Sequence, residues 1–182
     1  RYLFKLDNDQ ILVAIIGRIH FHKNHILFIQ IANRLLKTNK KFKFIIVGKV
    51  IDIKLLDLLK KETIKLNIEK SFIWIDEVDD LRDIYSSIDI LMLTSTTEGF
   101  PNVLAEAVSS GVYSIANNVG DCKRILSELD FLVNNNSIND FVKACQNFKT
   151  NTPLSIQKRN QWINQNFSQK EIFQKFLYKI SN

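Results

Sequence analysis

The chain has 182 residues, of which 46% are hydrophobic and 24% charged, so it is long enough for one sizeable core and has the composition of an ordinary globular domain. No apolar run reaches the roughly 18 residues of a membrane span, and the two cysteines fit neither a metal spacing nor a disulfide framework. The net charge of +6 suits phosphate ligands or an anionic surface, but no nucleic-acid-binding motif accompanies it.

The cellular location follows from the same features. A chain without a disulfide framework or a signal peptide is expected in the reducing cytoplasm. The basic charge leaves open a peripheral position at the inner face of the membrane, and we expect no nucleic-acid partner. Because the chain begins at Arg1 rather than at a methionine, we expect it to be a piece of a longer protein.

Apolar runs alternate with segments of helical spacing along almost the whole chain. Strands are predicted at residues 11–16, 43–47, 71–75, 88–93, 112–116 and 131–133. Helices are predicted after Asn24, after Asp52, around 81–85, from Pro101 to Gly111, from Asp121 to Leu126, and near 138–149, 154–165 and 168–180. Asp52 and Asp121 can cap the helices that follow them, and the helix after Asp52 has its apolar positions at Leu55, Leu56, Leu59 and Ile64. This alternation predicts an α/β fold, a doubly wound Rossmann-like parallel sheet of about six strands with helices on both faces and a C-terminal helical tail.

Two loops of the predicted sheet are expected to meet. In the common strand order 3-2-1-4-5-6 the first and fourth strands are neighbours at the switch point, where ligands bind beyond the carboxyl ends of the strands. The loops at residues 17–24 and 95–102 follow these two strands and should therefore line one cleft. The glycine signatures of dinucleotide-binding and phosphate-binding loops are both absent, which argues against NAD.

The first of these loops carries cations. Arg18 offers a bidentate fork and Lys23 a point charge, and both suit a diphosphate. His20 and His22 lie between them, but no carboxylate or thiol is spaced to complete a metal site with them. We therefore interpret the histidines as loop residues beside the phosphates and expect neither a metal nor another cofactor.

The second loop leads into a helix whose start can bind an anion. Pro101 suits the first helical position, and the backbone N–H groups of Asn102, Val103 and Leu104 are expected to be free there. These groups and the positive end of the helix dipole attract a phosphate. Gly99 removes a side chain where a ligand would approach the backbone.

Two carboxylates flank this anion site. Glu98 and Glu106 do not neutralise a phosphate, but they can accept hydrogen bonds from the hydroxyls of a sugar or a ribose. Each glutamate alone is typical of a solvated surface charge. The combination of a phosphate site with hydroxyl acceptors indicates a nucleotide sugar as the ligand.

These motifs together resemble a known family. Gly17-Arg18, Lys23-Asn24 and the segment 98–107, with its two glutamates separated by seven residues, are similar to the motifs of the group-1 (family 4) retaining glycosyltransferases, which have the GT-B architecture. Val119-Gly120-Asp121 resembles the later glycine loop of that family. The resemblance spans roughly residues 11–135 and keeps the motifs in the order of the family.

The resemblance implies a domain and an activity. The family folds as two Rossmann-like domains, and residues 1–182 resemble only the C-terminal, donor-binding domain, without the N-terminal acceptor domain. The whole enzyme would be a hexosyltransferase-type enzyme that transfers a sugar from a nucleotide-diphosphate sugar to a glycan or lipid-linked acceptor, with retention, in glycan or surface polysaccharide biosynthesis. This chain alone would be inactive because half of the cleft is missing.

The resemblance also implies roles for single residues. Arg18 and Lys23 would bind the donor diphosphate, and Glu98 would contact hydroxyls of the donor sugar, so that these three form the catalytic set. Glu106 would accept hydrogen bonds from the ribose. The implied donor-binding set is Gly17, Gly99, Phe100, Pro101, Asn102, Val103, Leu104 and Glu106. The family needs no bound metal.

Three alternatives stay open on the sequence. A retaining phosphorylase or sucrose-type synthase shares the fold and differs in its partner domain. A non-hydrolysing epimerase of nucleotide sugars also has this architecture, although the spacing of the two glutamates favours transfer. A non-enzymatic nucleotide-binding or basic scaffold module would bind its ligand independently of Glu98 and Glu106.

Overall fold

The computed structural model describes residues 4, 6, 7 and 9–167, which form a parallel six-stranded sheet in the order β3-β2-β1-β4-β5-β6. The strands are β1 (Ile11–Ile16), β2 (Phe42–Val47), β3 (Phe72–Ile75), β4 (Ile90–Leu93), β5 (Tyr113–Asn117) and β6 (Phe131–Val133). The predicted doubly wound fold is confirmed, because the chain runs outward from β1 to β3 and then returns to build β4, β5 and β6 on the other side of β1.

The helices lie close to the predicted segments. They are α1 (His25–Thr38), α2 (Ile53–Lys65), α3 (Arg82–Ser87), α4 (Asn102–Ser109), α5 (Cys122–Ile125), α6 (Ile138–Gln146) and α7 (Pro153–Phe167), with 3₁₀ turns at Phe21–Lys23 and Glu69–Ser71. The helix predicted at 168–180 lies outside the described residues. Among the helices that the structure describes, none is long and apolar enough to cross a membrane.

The sheet separates two hydrophobic cores. Alternate side chains of β1 point to opposite faces, so that Val13 and Ile15 pack with α1, α2 and α6, whereas Leu12 and Ala14 pack with α3, α4 and α5. The largest side chains of the first core are phenylalanines, and Phe28, Phe42, Phe44 and Phe141 are fully buried there. Burying one such side chain stabilises the fold by about 1.5–3 kcal/mol. Helices cover both faces of the sheet, as predicted.

Helix caps follow the sequence in part. The side chain of Asp52 accepts a hydrogen bond from the N–H of Leu55 at 3.0 Å and caps α2 as predicted. Asp121 precedes α5, as predicted, but its carboxylate makes no cap; it accepts a hydrogen bond from Arg124 Nη1 at 2.8 Å instead. The expected side-chain cap at Asp121 is therefore wrong, because a charged partner one turn away competes for the same oxygen.

Gly111 ends α4, as the sequence predicts. Its φ of +81° is a left-handed conformation that glycine adopts without steric cost. The N–H of Gly111 donates to the carbonyl of Val108, and the N–H of Val112 donates to that of Ala107. This pair of bonds is a Schellman motif, which satisfies the last carbonyls of the helix and turns the chain into β5.

A buried ion pair fixes α7 against the amino edge of the sheet. Arg159 Nε donates to Asp130 Oδ1 at 2.8 Å, and the two side chains are 4% and 0% exposed. Nη1 donates to the carbonyl of Gly111 and to Asn151 Oδ1, and Nη2 donates to the carbonyl of Leu129. Helix α7 is thereby held along α4, the helix that carries residues 102–104 and Glu106 of the predicted site.

Candidate functional site

The two switch-point loops meet, as the sequence predicts. Because β1 and β4 are neighbours, residues 17–24 and 94–102 emerge side by side at the carboxyl edge of the sheet. The N–H of Thr96 donates to the carbonyl of His22 at 2.9 Å, and Thr94 Oγ1 donates to the carbonyl of Lys23 at 2.9 Å. These bonds fix the first loop to the second and define a cleft between them.

The cleft has a volume of about 390 Å³ and is lined by Arg18, His20, His22, Lys23, Ile51, Thr97, Glu98 and Gly99. Sequence reasoning missed Ile51, which comes from the loop after β2. A backbone bridge between Ile19 and Val50 brings this third loop to the cleft. The signal that could have found Ile51 is its position just beyond the carboxyl end of the strand next to β1.

Lys23 and Glu98 form an ion pair within the cleft. Lys23 Nζ lies 2.6 Å from Glu98 Oε1, and the two side chains are 22% and 12% exposed. Gly17 leaves room for the lysine, because a Cβ there would lie 3.1 Å from Lys23 Cε. Arg18 is exposed and has no ion-pair partner among the described residues, so the cleft keeps one unpaired positive charge.

Glycines on two other loops support the cleft from outside. A Cβ on Gly48 would lie 2.2 Å from the carbonyl oxygen of Gly17, and a Cβ on Gly120 would lie 2.3 Å from that of Glu98. The N–H of Asp121 also donates to the carbonyl of Gly99 at 3.0 Å. The loop after β5 is therefore packed directly against the backbone of residues 98–99, a contact that sequence reasoning did not identify.

Gly99 differs from these glycines. A Cβ on Gly99 would have no neighbour within 4 Å, and Gly99 is not among the glycines with positive φ. The described part of the protein therefore sets no packing or backbone requirement for glycine at this position. The space beside Gly99 opens into the cleft.

The start of α4 differs in detail from the prediction. Pro101 is the N-cap and not the first helical residue, and no side chain in the described part of the chain caps the helix. The N–H of Leu104 donates to the carbonyl of Pro101 at 3.0 Å, so the predicted free N–H at Leu104 is wrong. The side chain of Leu104 is fully buried in the core, that of Val103 is half-buried, and that of Asn102 is exposed. Only the first two N–H groups of α4 remain as donors for an anion.

Glu106 lines a different cavity. A groove of about 480 Å³ runs between α3, α4 and α7 and is lined by Asp80, Leu81, Arg82, Tyr85, Phe100, Ala105, Glu106, Ser109, Ser110, Ile163 and Phe167. Phe100, which is 42% exposed, contacts Phe167 with ring centroids 5.6 Å apart. Glu106 and Phe100 thus line a groove that shares no lining residue with the cleft around Lys23, although Phe100 directly follows Gly99 of that cleft.

Two buried polar side chains adjoin the loops that form the cleft. His25 begins α1 and is 2% exposed, and neither of its ring nitrogens has a hydrogen-bond partner among the described residues. Burial, with a smaller contribution from the charge of Lys23, lowers the pKa of His25 to about 4. Asn117 Nδ2 donates to the carbonyl of Ser95 at 3.2 Å and supports the second loop from beneath.

The histidines of the first loop stack beside the cleft. The rings of His20 and His22 have centroids 5.0 Å apart, with Phe21 in contact with both. Within the described ranges, no group of three or more His, Cys, Asp or Glu side chains is placed to hold a metal ion.

Comparison with known proteins gives a family and a fold. The sequence model of the family "Glycosyl transferases group 1" matches residues 4–169. An Escherichia coli UDP-Gal:alpha-D-GlcNAc-diphosphoundecaprenol alpha-1,3-galactosyltransferase is 28% identical over 160 residues, which are 85% of this chain and 41% of the relative. The chain therefore spans about two fifths of the length of this relative.

Solved structures share the fold. Anabaena HepE in complex with UDP and glucose has a TM-score of 0.82 at 17% identity, and the match covers 95% of this chain and 48% of that one. The C-terminal domain of a group 1 family glycosyl transferase from Francisella tularensis has a TM-score of 0.73 at 22% identity, covering 89% of this chain and 87% of that one.

Proposed function

The chain belongs to the group 1 glycosyl transferases, and we propose that it is the C-terminal, donor-binding half of a retaining enzyme that uses a nucleotide-diphosphate sugar. The observation that carries this proposal is the cleft in which Arg18 and Lys23 meet the Glu98–Gly99 loop at the switch point of the sheet. The match to a solved C-terminal domain over 87% of its length supports the assignment of the domain.

The donor diphosphate would bind at the cations of the cleft. The unpaired guanidinium of Arg18 can bind phosphate oxygens through two parallel N–H bonds, and Lys23 can contribute a point charge. The uncapped start of α4 adds two backbone N–H groups and the positive end of the dipole. These groups would also stabilise the negative charge that develops on the leaving diphosphate during transfer.

Donor binding would rearrange the Lys23–Glu98 ion pair. Lys23 Nζ and Glu98 Oε1 are 2.6 Å apart in the free protein. A diphosphate carries more negative charge than one carboxylate and would draw Lys23 Nζ away from Glu98. Glu98 would then be available to accept a hydrogen bond from a hydroxyl of the donor sugar. The open space beside Gly99 would leave room for that sugar.

The ribose would lie between the cleft and the groove. Glu106 is on α4 one turn beyond the phosphate-binding N–H groups, so a nucleoside attached to the diphosphate would reach it. The groove beyond Glu106 offers apolar surface from Leu81 and Phe100 for the nucleoside. The carboxylate would accept hydrogen bonds from the ribose hydroxyls.

The whole enzyme would need a second domain to hold the acceptor. We expect the acceptor to be a glycan or lipid-linked sugar and the pathway to make glycans or surface polysaccharides, in line with the name of the Escherichia coli relative. That name and the UDP in the HepE structure make UDP the first nucleotide to test. This chain by itself would bind donor without turning it over.

The test is a calorimetric titration of UDP, GDP and ADP against the intact protein. We expect one of the three to bind, and Lys23→Ala to weaken that binding about tenfold or more because a charge-assisted hydrogen bond is lost. Lys41→Ala is the matched control, since Lys41 pairs with Asp9 at the opposite edge of the sheet and should not affect binding. No binding of any of the three, or equal losses in both variants, would contradict the proposal.

A further inference from the structure

Tyr85 contacts the carboxylate assigned to the ribose. It lies on α3 and is only 5% exposed, and its Oη donates a hydrogen bond to Glu106 Oε2 at 2.8 Å. The same hydroxyl lies 3.4 Å from the carbonyl oxygen of Val103. Glu106 itself is exposed on α4, so this contact connects a buried phenol to a carboxylate at the wall of the groove.

The hydrogen bond has a fixed direction. Burial, and after it the hydrogen bond to Glu106, raise the pKa of Tyr85 far above its ordinary value, so the phenol stays protonated at any physiological pH. The hydroxyl therefore donates, and one carboxylate oxygen accepts. Glu106 Oε1 has no partner among the described residues and is left for another donor.

We propose that Tyr85 is a positioning residue for ribose recognition, which it serves by holding Glu106 in the orientation that accepts the ribose hydroxyls. This inference rests on the proposed function, since it assigns the ribose to Glu106. An exposed glutamate samples several rotamers, and a ligand that binds it must select one of them. The hydrogen bond from Tyr85 makes that selection before the ligand arrives, because the phenol ring is itself fixed in the core.

The alternative role for Tyr85 is packing alone. Tyr85→Phe separates the two roles, because it keeps the buried ring and removes only the hydroxyl. A packing defect would affect every ligand of the site equally. A positioning defect would affect only ligands that use Glu106, namely those with ribose hydroxyls.

The experiment measures the affinity of the intact protein for UDP and for 2′,3′-dideoxy-UDP, which lacks both ribose hydroxyls. If GDP or ADP binds instead of UDP, that nucleotide and its dideoxy form are used. The variants are Tyr85→Phe, Glu106→Gln and the double variant. Tyr113→Phe is the matched control, since Tyr113 is a half-buried tyrosine that packs on Phe148 and Arg159 and not on Glu106.

We expect Tyr85→Phe to weaken UDP binding roughly three- to tenfold and to leave dideoxy-UDP binding unchanged. In the Glu106→Gln background, Tyr85→Phe should cost less than it does alone, because the two residues act through one contact. Tyr113→Phe should change neither affinity.

Two other outcomes are distinguishable. Equal losses for UDP and dideoxy-UDP in Tyr85→Phe, or no loss for either, would overturn the role of Tyr85 and leave the proposed function standing. A parent protein that binds none of UDP, GDP and ADP would overturn the proposed function and with it the role of Tyr85.

Discussion

Two ion pairs lie at opposite edges of the sheet. Each joins a cation to a carboxylate, but the pairs differ in how many hydrogen bonds the carboxylate accepts. At the amino edge, Asp130 accepts from Arg159 and also from the N–H groups of Ser114 and Ser127. At the carboxyl edge, the pair of Lys23 and Glu98 is joined by a single bond of 2.6 Å next to open space.

This difference separates a structural ion pair from an ion pair whose lysine can exchange its carboxylate partner for a ligand. A buried pair held by several further hydrogen bonds can be lost only at a large cost in the free energy of unfolding. A partly exposed pair joined by one contact can give up that contact to a ligand of higher charge. The comparison therefore predicts large effects on stability at Arg159 and effects on binding at Lys23 and Glu98.

The largest expected effect is on folding. Arg159→Ala leaves the carboxylate of Asp130 buried without its cation and should lower the free energy of unfolding by about 3–5 kcal/mol. Urea unfolding of the 182-residue chain measures this loss. Arg82→Ala is the control, because the pair of Arg82 with Asp80 is on the surface and its loss should leave the unfolding transition unchanged. A similar transition in both variants would remove the contrast between the two edges.

The next effect tests how completely His25, at the start of α1, is closed off from solvent. Since the pKa of His25 is about 4 in the folded chain and near 6.5 when unfolded, the unfolded state binds the proton more readily. Stability should therefore be complete above pH 6.5 and fall as the pH decreases towards 4, by about 3 kcal/mol in total.

The check is urea unfolding of the parent and of His25→Leu between pH 7.5 and 4. The leucine variant removes the titrating group and should show a flatter dependence of stability on pH. Parallel pH profiles for the two proteins would mean that His25 titrates normally and that solvent reaches its imidazole ring.

At the cleft itself, Arg18→Ala should weaken binding of the plain nucleoside diphosphate. Loss of a charge-assisted contact to phosphate corresponds to roughly a ten- to hundredfold decrease in affinity, with folding unaffected because Arg18 is exposed. Arg34→Ala is the control, since Arg34 contacts Asn139 on α6, away from the cleft. Calorimetry on the intact protein measures both, and an unchanged affinity in Arg18→Ala would move the diphosphate elsewhere.

The sequence was sufficient for the parts of the fold that depend on regular patterns. The continuous apolar runs gave β1 and β6 their observed bounds, and the alternation of strands and helices gave the switch point where the Lys23 and Glu98 loops meet. These features follow from periodicity and from the limited set of sheet topologies.

Contacts between distant single residues could not be predicted. Arg159 and Asp130 are 29 positions apart in sequence and carry no pattern that marks them as partners. Ile64 was expected on the apolar face of α2, but it is 60% exposed, because helical spacing alone does not define how wide the buried stripe is. The hydrogen bond from Tyr85 to Glu106 likewise depends on how α3 packs against α4.

The most direct test of the account is the affinity of the Glu98→Gln protein for the plain nucleoside diphosphate. If the ion pair competes with the phosphate for Lys23, removing the carboxylate charge should tighten binding about two- to fivefold, the size expected for a partly exposed pair. Glu77→Gln is the control, since Glu77 pairs with Lys49 outside the cleft and should leave the affinity unchanged. Weaker binding in Glu98→Gln, with an unchanged control, would contradict the account and make Glu98 a support of the loop instead of an exchangeable partner of Lys23.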